Sequence, residues 1–253
     1  MNTHIHQFFD FLEKKENRRK PLKYKLIHDP ESLTPEDLNV VGSLYLSNTK
    51  ITSLPKDLKV GGSLYLVDTP ITSLPKDLKV GGDLDLYDSK ITSLPQGLVV
   101  GRDLNLTDTP ITSLPRNLKV GRSLWLQHTL ITSLPQGLQV GDSLDASDTK
   151  VDSVPQDLKV GGTLWLTGTL ITSLPQGLIV GRDLDINLTR ITSLPKGLKV
   201  GGSLYASDTK VDSVPQDLQI GGGLRISNTP LSKNYTEEEI KVMCLGIQGR
   251  IYM

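Results

Sequence analysis

From about residue 51 to residue 230 the chain repeats itself every 20 residues, and that period limits the fold more than any other feature. ITSLPKDLKVGGSLYLVDTP (51–70) runs directly into ITSLPKDLKVGGDLDLYDSK (71–90). Prolines recur in register from Pro55 to Pro215, glycines from Gly61 to Gly221 and leucines from Leu44 to Leu224. Ten strand-like units result, from Leu44-Tyr45-Leu46 to Leu224-Arg225-Ile226. A period of this length marks an array of stacked supersecondary units.

In the unit that begins at Gly61, Leu64 and Leu66 alternate with Ser63, Tyr65 and Val67. Period-two alternation places the leucines inward and the others outward. Ile71, Leu74, Leu78 and Val80 complete six apolar positions. Six side chains cannot offset the entropy of ordering a 20-residue coil, so one unit cannot stand alone. Stacking closes a continuous core and makes a solenoid, a rod on the order of 45–50 Å long at about 4.8 Å per strand. The remainder reads as turn chemistry. Gly61-Gly62 allows close backbone approach, and Asp68-Thr69 offers side-chain oxygens to nearby amides. Pro75 opposes a helix in the return segment, which is expected to be non-helical.

The pattern L-x-L-x-x-[T/S]-x-I-T-S-L-P resembles the short bacterial leucine-rich repeat, L-x-x-L-x-[L/V]-x-x-N-x-L-x-x-L-P, over about residues 33–231. The resemblance implies one short parallel β-strand per unit, a non-helical return side and helical caps at both ends. Two positions depart from it. Glycine (Gly61, Gly81) replaces the first leucine, with Val60 and Val80 one residue earlier. Threonine (Thr69, Thr109) or Ser89 replaces the asparagine, so a threonine hydroxyl would have to make part of the asparagine's bonds. Similar VGG-containing arrays resemble bacterial and bacteriophage proteins. A right-handed β-helix with three short strands per rung is the alternative.

The ends differ, which divides the chain into an N-terminal helical cap (1–30), the solenoid (31–232) and a C-terminal helical cap (233–253). Ile5, Phe8, Phe9 and Leu12 fall at helical spacing and predict an amphipathic helix over the first unit. Thr236 and Glu239 match a capping box, and Ile240, Met243, Cys244 and Ile247 predict one helical stripe behind it.

Packing explains the invariant positions, so function is sought where exposed positions vary. Between the strand leucines stand Tyr45, Tyr65, Asp85, Asn105, Trp125, Asp145, Trp165, Asp185, Tyr205 and Arg225. Both tryptophans lie in this column, and Tyr87 follows two residues after Asp85 on the same side. Aromatics two strands apart are expected about 10 Å from each other. Cross-strand packing is one reading of the column. The other is a recognition strip, because Trp and Tyr give rigid contact area. The candidate partner-binding residues are therefore Tyr45, Tyr65, Asp85, Tyr87, Trp125, Asp145, Trp165, Asp185 and Tyr205. In the family the chain resembles, this face usually binds a protein, which implies a non-enzymatic module, with host interaction or anti-host defence suggested by the phage-like resemblance. Capture of a sugar or nucleotide on the aromatics, and a purely structural or self-assembling role, are the alternatives.

Other constellations carry less. Asp68, Asp88, Asp108, Asp148 and Asp208 recur at one turn and are read as turn formers. His128 stands in their column without a matching nucleophile. Asp83, Asp103 and Asp183, with Arg102, Arg122 and Arg182 nearby, are read as a solvated rim. No catalytic, metal or cofactor site is expected. Lys+Arg and Asp+Glu number 28 each, a net charge of zero that removes the main electrostatic attraction to nucleic acid or anionic membranes. No apolar run approaches the roughly 18 residues of a membrane span. Asp10 and Glu13 interrupt the N-terminal apolar patch, which is not read as a signal peptide. A single cysteine, Cys244, excludes an internal disulfide and suggests a cytoplasm, that of a bacterial cell or of a host cell.

Overall fold

In every unit two residues before the glycine corner and two after it are extended, as in Lys79–Val80 and Leu84–Asp85. In the computed structural model, which describes residues 7–9, 11 and 20–253, these pairs stack into two parallel sheets. The first sheet has ten strands, from Asn39–Val40 to Gln219–Ile220. The second has eleven, from Leu44–Tyr45 to Leu224–Arg225 and then Ile251–Tyr252. Register follows the repeat: Leu124 faces Leu144 and Trp125 faces Asp145.

The six predicted apolar columns are all interior. Leu64, Leu66 and Ile71 are fully enclosed, Leu74, Leu78 and Val80 nearly so, and equivalents along the array join one cluster. The return side is non-helical, as expected. The strand after the glycine is the predicted one; the strand before it is additional, giving two per coil rather than one, or the three of a β-helix rung. A two-residue strand has no periodicity to read. It exists because the same residues of the next coil bond to it.

The glycine corner explains the first departure from the resembled pattern. A Cβ on Gly81, Gly101, Gly121, Gly141 or Gly181 would overlap the carbonyl oxygen of the glycine one coil earlier. The first leucine is absent because backbone occupies its space. The threonine column replaces the asparagine only in part. Thr69, Thr109, Thr149 and Thr209 are buried, and each hydroxyl donates to the carbonyl three residues earlier in its own unit at 2.6–2.7 Å. These bonds close each turn but do not join units. The joining is done three residues before the strand's second leucine. The Ser63 hydroxyl accepts from the Asp83 amide (2.9 Å), Asp83 from the Asp103 amide (3.2 Å), and Asp103 from the Ser123 amide (2.8 Å). Asp183 accepts from the Ser203 amide at 2.6 Å. These aspartates are therefore rungs between coils rather than a freely solvated rim, while Arg102 lies 3.5 Å from Asp83 and adds only a surface ion pair.

The aspartates of the recurring turn are turn formers, since Asp68, Asp88, Asp108, Asp148 and Asp208 all have φ between 50° and 58°. Asp, Asn and Gly tolerate this left-handed region; a leucine there costs roughly 1–2 kcal/mol. Leu188 sits in the column at φ 58° with 61% of its surface exposed, so its side chain gains little in return. Leu188→Asn should stabilise the protein by about 1 kcal/mol and raise the melting temperature by about 2–4 °C in a thermal scan.

At the N-terminal end, helix Leu22–His28 buries Tyr24 and Leu26, and Leu26 joins the core. Phe9 lies with its ring 4.4 Å from that of Tyr24, while Phe8 is exposed. Ile5 and Leu12, on which the predicted amphipathic helix also rests, lie outside the described residues. At the other end the capping box is present, with Thr236 and Glu239 bonding each other's backbone amides. The helix, Glu237–Met243, is shorter than the predicted stripe. Ile240 and Cys244 are buried and Ile247 bridges to Ile220, but Met243 faces solvent. Among the described residues no helix is long and apolar enough to cross a membrane.

Candidate functional site

Pairing in register brings the variable column of the second sheet onto one outward strip, because each of its residues follows a buried leucine. Along the strip the aromatic residues collect in three places. Tyr45 and Tyr65, on adjacent strands, stack with centroids 5.0 Å apart and planes at 8°. Trp125 and Trp165 stack at 6.2 Å and 22°, although a strand lies between theirs. Their rings lean together across Asp145, which shortens the expected separation of about 10 Å. Tyr205 meets Arg225, whose guanidinium also covers the Tyr252 ring at 4.4 Å.

Asp145 stands on the strand between the two tryptophans. Its carboxylate accepts from the Ser147 amide at 2.9 Å and from the Gln127 side-chain amide at 2.6 Å. Burial pushes its pKa above the usual carboxylate range, against the opposing pull of those two bonds. Asp85 shows the same upward shift from burial and the same bond, to the Tyr87 amide at 3.1 Å. Asp185 bonds the Asn187 amide at 2.9 Å. The three acids thus shape the exit of their strands as well as lining the strip. Asn105 makes the equivalent bond to Thr107 without a charge.

A raised folded-state pKa means that the folded protein holds a proton more tightly than the unfolded chain. Stability therefore falls as pH rises through the interval above 3.8, and the ionised Asp145 weakens the fold at neutrality. Asp145→Asn keeps the oxygen that Ser147 needs and removes the charge, and the Gln127 amide turns its oxygen toward the new NH2. Chemical denaturation should find the variant more stable than the parent at pH 7, with the gain gone near pH 3.

Of the predicted residues, Tyr45, Tyr65, Trp125, Asp145, Trp165 and Tyr205 fall into the three clusters. Tyr87 does not join a stack; its pKa is raised by the nearby negative charge of Asp108. Tyr252 was not among the sequence candidates, yet Gly249-Arg250-Ile251-Tyr252-Met253 matches Gly62-Ser63-Leu64-Tyr65-Leu66 in pattern, a signal that it continues the second sheet. His128 Nδ1 lies 3.0 Å from Asp108, an exposed pair in the turn column. Among the described residues no group of three or more His, Cys, Asp or Glu is placed to hold a metal ion.

Coils of 20 residues, parallel ladders in register and extended returns make this a leucine-rich-repeat solenoid with small helical caps. No family model matches the chain, and no curated protein matches it. Solved structures similar to it are bacterial leucine-rich-repeat proteins. One from Leptospira interrogans is 20% identical with a TM-score of 0.44, over 82% of this chain and 71% of that one. A Shigella effector leucine-rich-repeat domain is 16% identical with a TM-score of 0.41, over 98% and 96%. YopM from Yersinia enterocolitica is 15% identical with a TM-score of 0.35, over 90% and 69%.

Proposed function

We propose that the chain is a non-enzymatic module that binds a protein partner through the exposed strip of its second sheet. The observation that carries this reading is the Trp125–Trp165 stack: both tryptophans of the chain meet on the outward face, where neither contributes to the interior cluster. Rigid aromatic area of this kind is enriched at the centres of protein interfaces. The stack also weighs against capture of a sugar or base. A third ring held between two others requires them about 7 Å apart, two contacts of roughly 3.5 Å, and these two already touch. The single cysteine is buried and fits a reducing compartment.

The test is parallel capture from cell extract by the immobilised parent and by Trp125→Ala/Trp165→Ala, with bound proteins compared by mass spectrometry. A protein held by the parent and lost by the variant supports the reading. Identical capture by both contradicts it.

A further inference from the structure

The zero net charge conceals an uneven distribution. The outward column of the first sheet carries Lys59, Lys79, Lys119, Lys159 and Lys199, all exposed, with Val99 and Ile179 among them. Lys59 and Lys79 face each other directly across the ladder, a like-charge pairing that costs stability. The neighbouring acids are engaged elsewhere: Asp157 accepts from the Gly137 amide and Asp217 from the Gly197 amide, both at 2.9 Å. Among the described residues none of these five lysines forms an ion pair, although the Asp157 carboxylate lies along the same groove. The strip on the second sheet has the opposite character, with Asp85, Asp145 and Asp185 and no lysine.

The lysines border a groove. Its central part, about 800 Å³, is lined by Val99, Lys119, Gln139, Lys159 and Ile179, with one acid, Asp157, at its border. Past Ile179 it continues into a further 530 Å³ beside Lys199 and Gln219. From Val99 to Gln219 there are six strand spacings, on the order of 29 Å at about 4.8 Å each. Val99 and Ile179 are 49% and 60% exposed and give the groove two apolar footholds. None of its lining residues is aromatic, so it has no platform on which bases could stack. A shallow, open groove running across the strands suits a chain laid along it better than the plane of a bilayer.

Spacing narrows the choice. Lys119, Lys159 and Lys199 stand on every second strand, about 9.6 Å apart. A polyproline II helix rises about 3.1 Å per residue with three residues per turn, so every third side chain returns after about 9.3 Å. We propose that this groove is a second docking surface, separate from the aromatic strip, for an acidic polypeptide segment in polyproline II conformation. Carboxylates at every third position meet Lys119, Lys159 and Lys199, while an apolar side chain between the last two rests on Ile179 and one beyond Lys119 rests on Val99.

The test is fluorescence anisotropy of a labelled peptide of three Glu-Pro-Leu repeats titrated with the full chain. Saturable binding is expected, weakened by rising salt in the parent protein and at least tenfold by Lys119→Glu/Lys159→Glu/Lys199→Glu. It should persist in Trp125→Ala/Trp165→Ala, which separates this surface from the strip. A peptide of the same composition with its glutamates adjacent should bind more weakly. No binding, equal binding of the clustered peptide, or indifference to salt and to the lysine changes would overturn the proposal. So would tighter binding of an oligothymidylate or of phosphatidylserine vesicles.

Discussion

Gly141→Ala is expected to cost about 3–5 kcal/mol, at the far end of what single substitutions do, and to lower the melting temperature by about 6–20 °C. The added methyl would overlap the Gly121 carbonyl oxygen, with the Gly121 carbonyl carbon and the Arg122 amide nitrogen just behind it. No side chain can rotate to relieve that contact, because both parties are backbone. Separating the coils would stretch the bond from the Gly141 amide to the Val120 carbonyl, now 3.0 Å. In a solenoid each unit touches only its neighbours, so a fault at mid-array uncouples the two halves. Gly42→Ala is the control. No atom lies within 4 Å of where its Cβ would stand, and its effect should stay within about 0.5 kcal/mol. Parallel thermal melts of the two variants check both expectations, and similar losses in each would contradict the account of the corner.

Trp125→Ala/Trp165→Ala should weaken partner binding by at least about 2–4 kcal/mol, a factor of roughly 30 to 1,000, while the fold survives. Both rings are half-buried on the outside of the second sheet, so the fold loses their partial burial together with one aromatic pair, about 0.5–1.5 kcal/mol beyond that burial, and no interior side chain. Either single change should cost nearly as much binding as both. A ring without its neighbour is no longer held in the stack, so the two act as a unit and their effects do not add. Calorimetric titration of a captured partner against the three variants measures this directly. Strictly additive losses would mean that the rings bind independently.

Much of the coil could be read from the chain because packing dictates it. The columns of Leu64, Leu66, Ile71, Leu74, Leu78 and Val80 are interior as their spacing requires. Thr236 and Glu239 form the capping box that their types and separation specify. What escaped reading depends on neighbouring coils or on side-chain geometry. Lys79–Val80 is a strand only because Lys59–Val60 and Val99–Val100 bond to it. Asp83 and Asp103 look like surface charge until the amide of the following coil is seen within their reach. The lean of Trp125 toward Trp165 is a matter of rotamer, which a one-dimensional pattern does not encode. Tyr252 closes the strip from a segment that has left the 20-residue register but keeps the Gly-x-Ile-Tyr pattern.

A shared docking strip requires two rings, 40 residues apart in sequence, to meet on the outer face of the second sheet. Because the chain has only these two tryptophans, far-ultraviolet circular dichroism reads that contact without labels. Stacked indoles couple and give a paired positive and negative band, whereas isolated indoles do not. Trp125→Phe and Trp165→Phe should each abolish the whole couplet while the backbone signal stays unchanged. If instead each removes half of an additive spectrum, the tryptophans stand apart, and the shared docking strip does not exist.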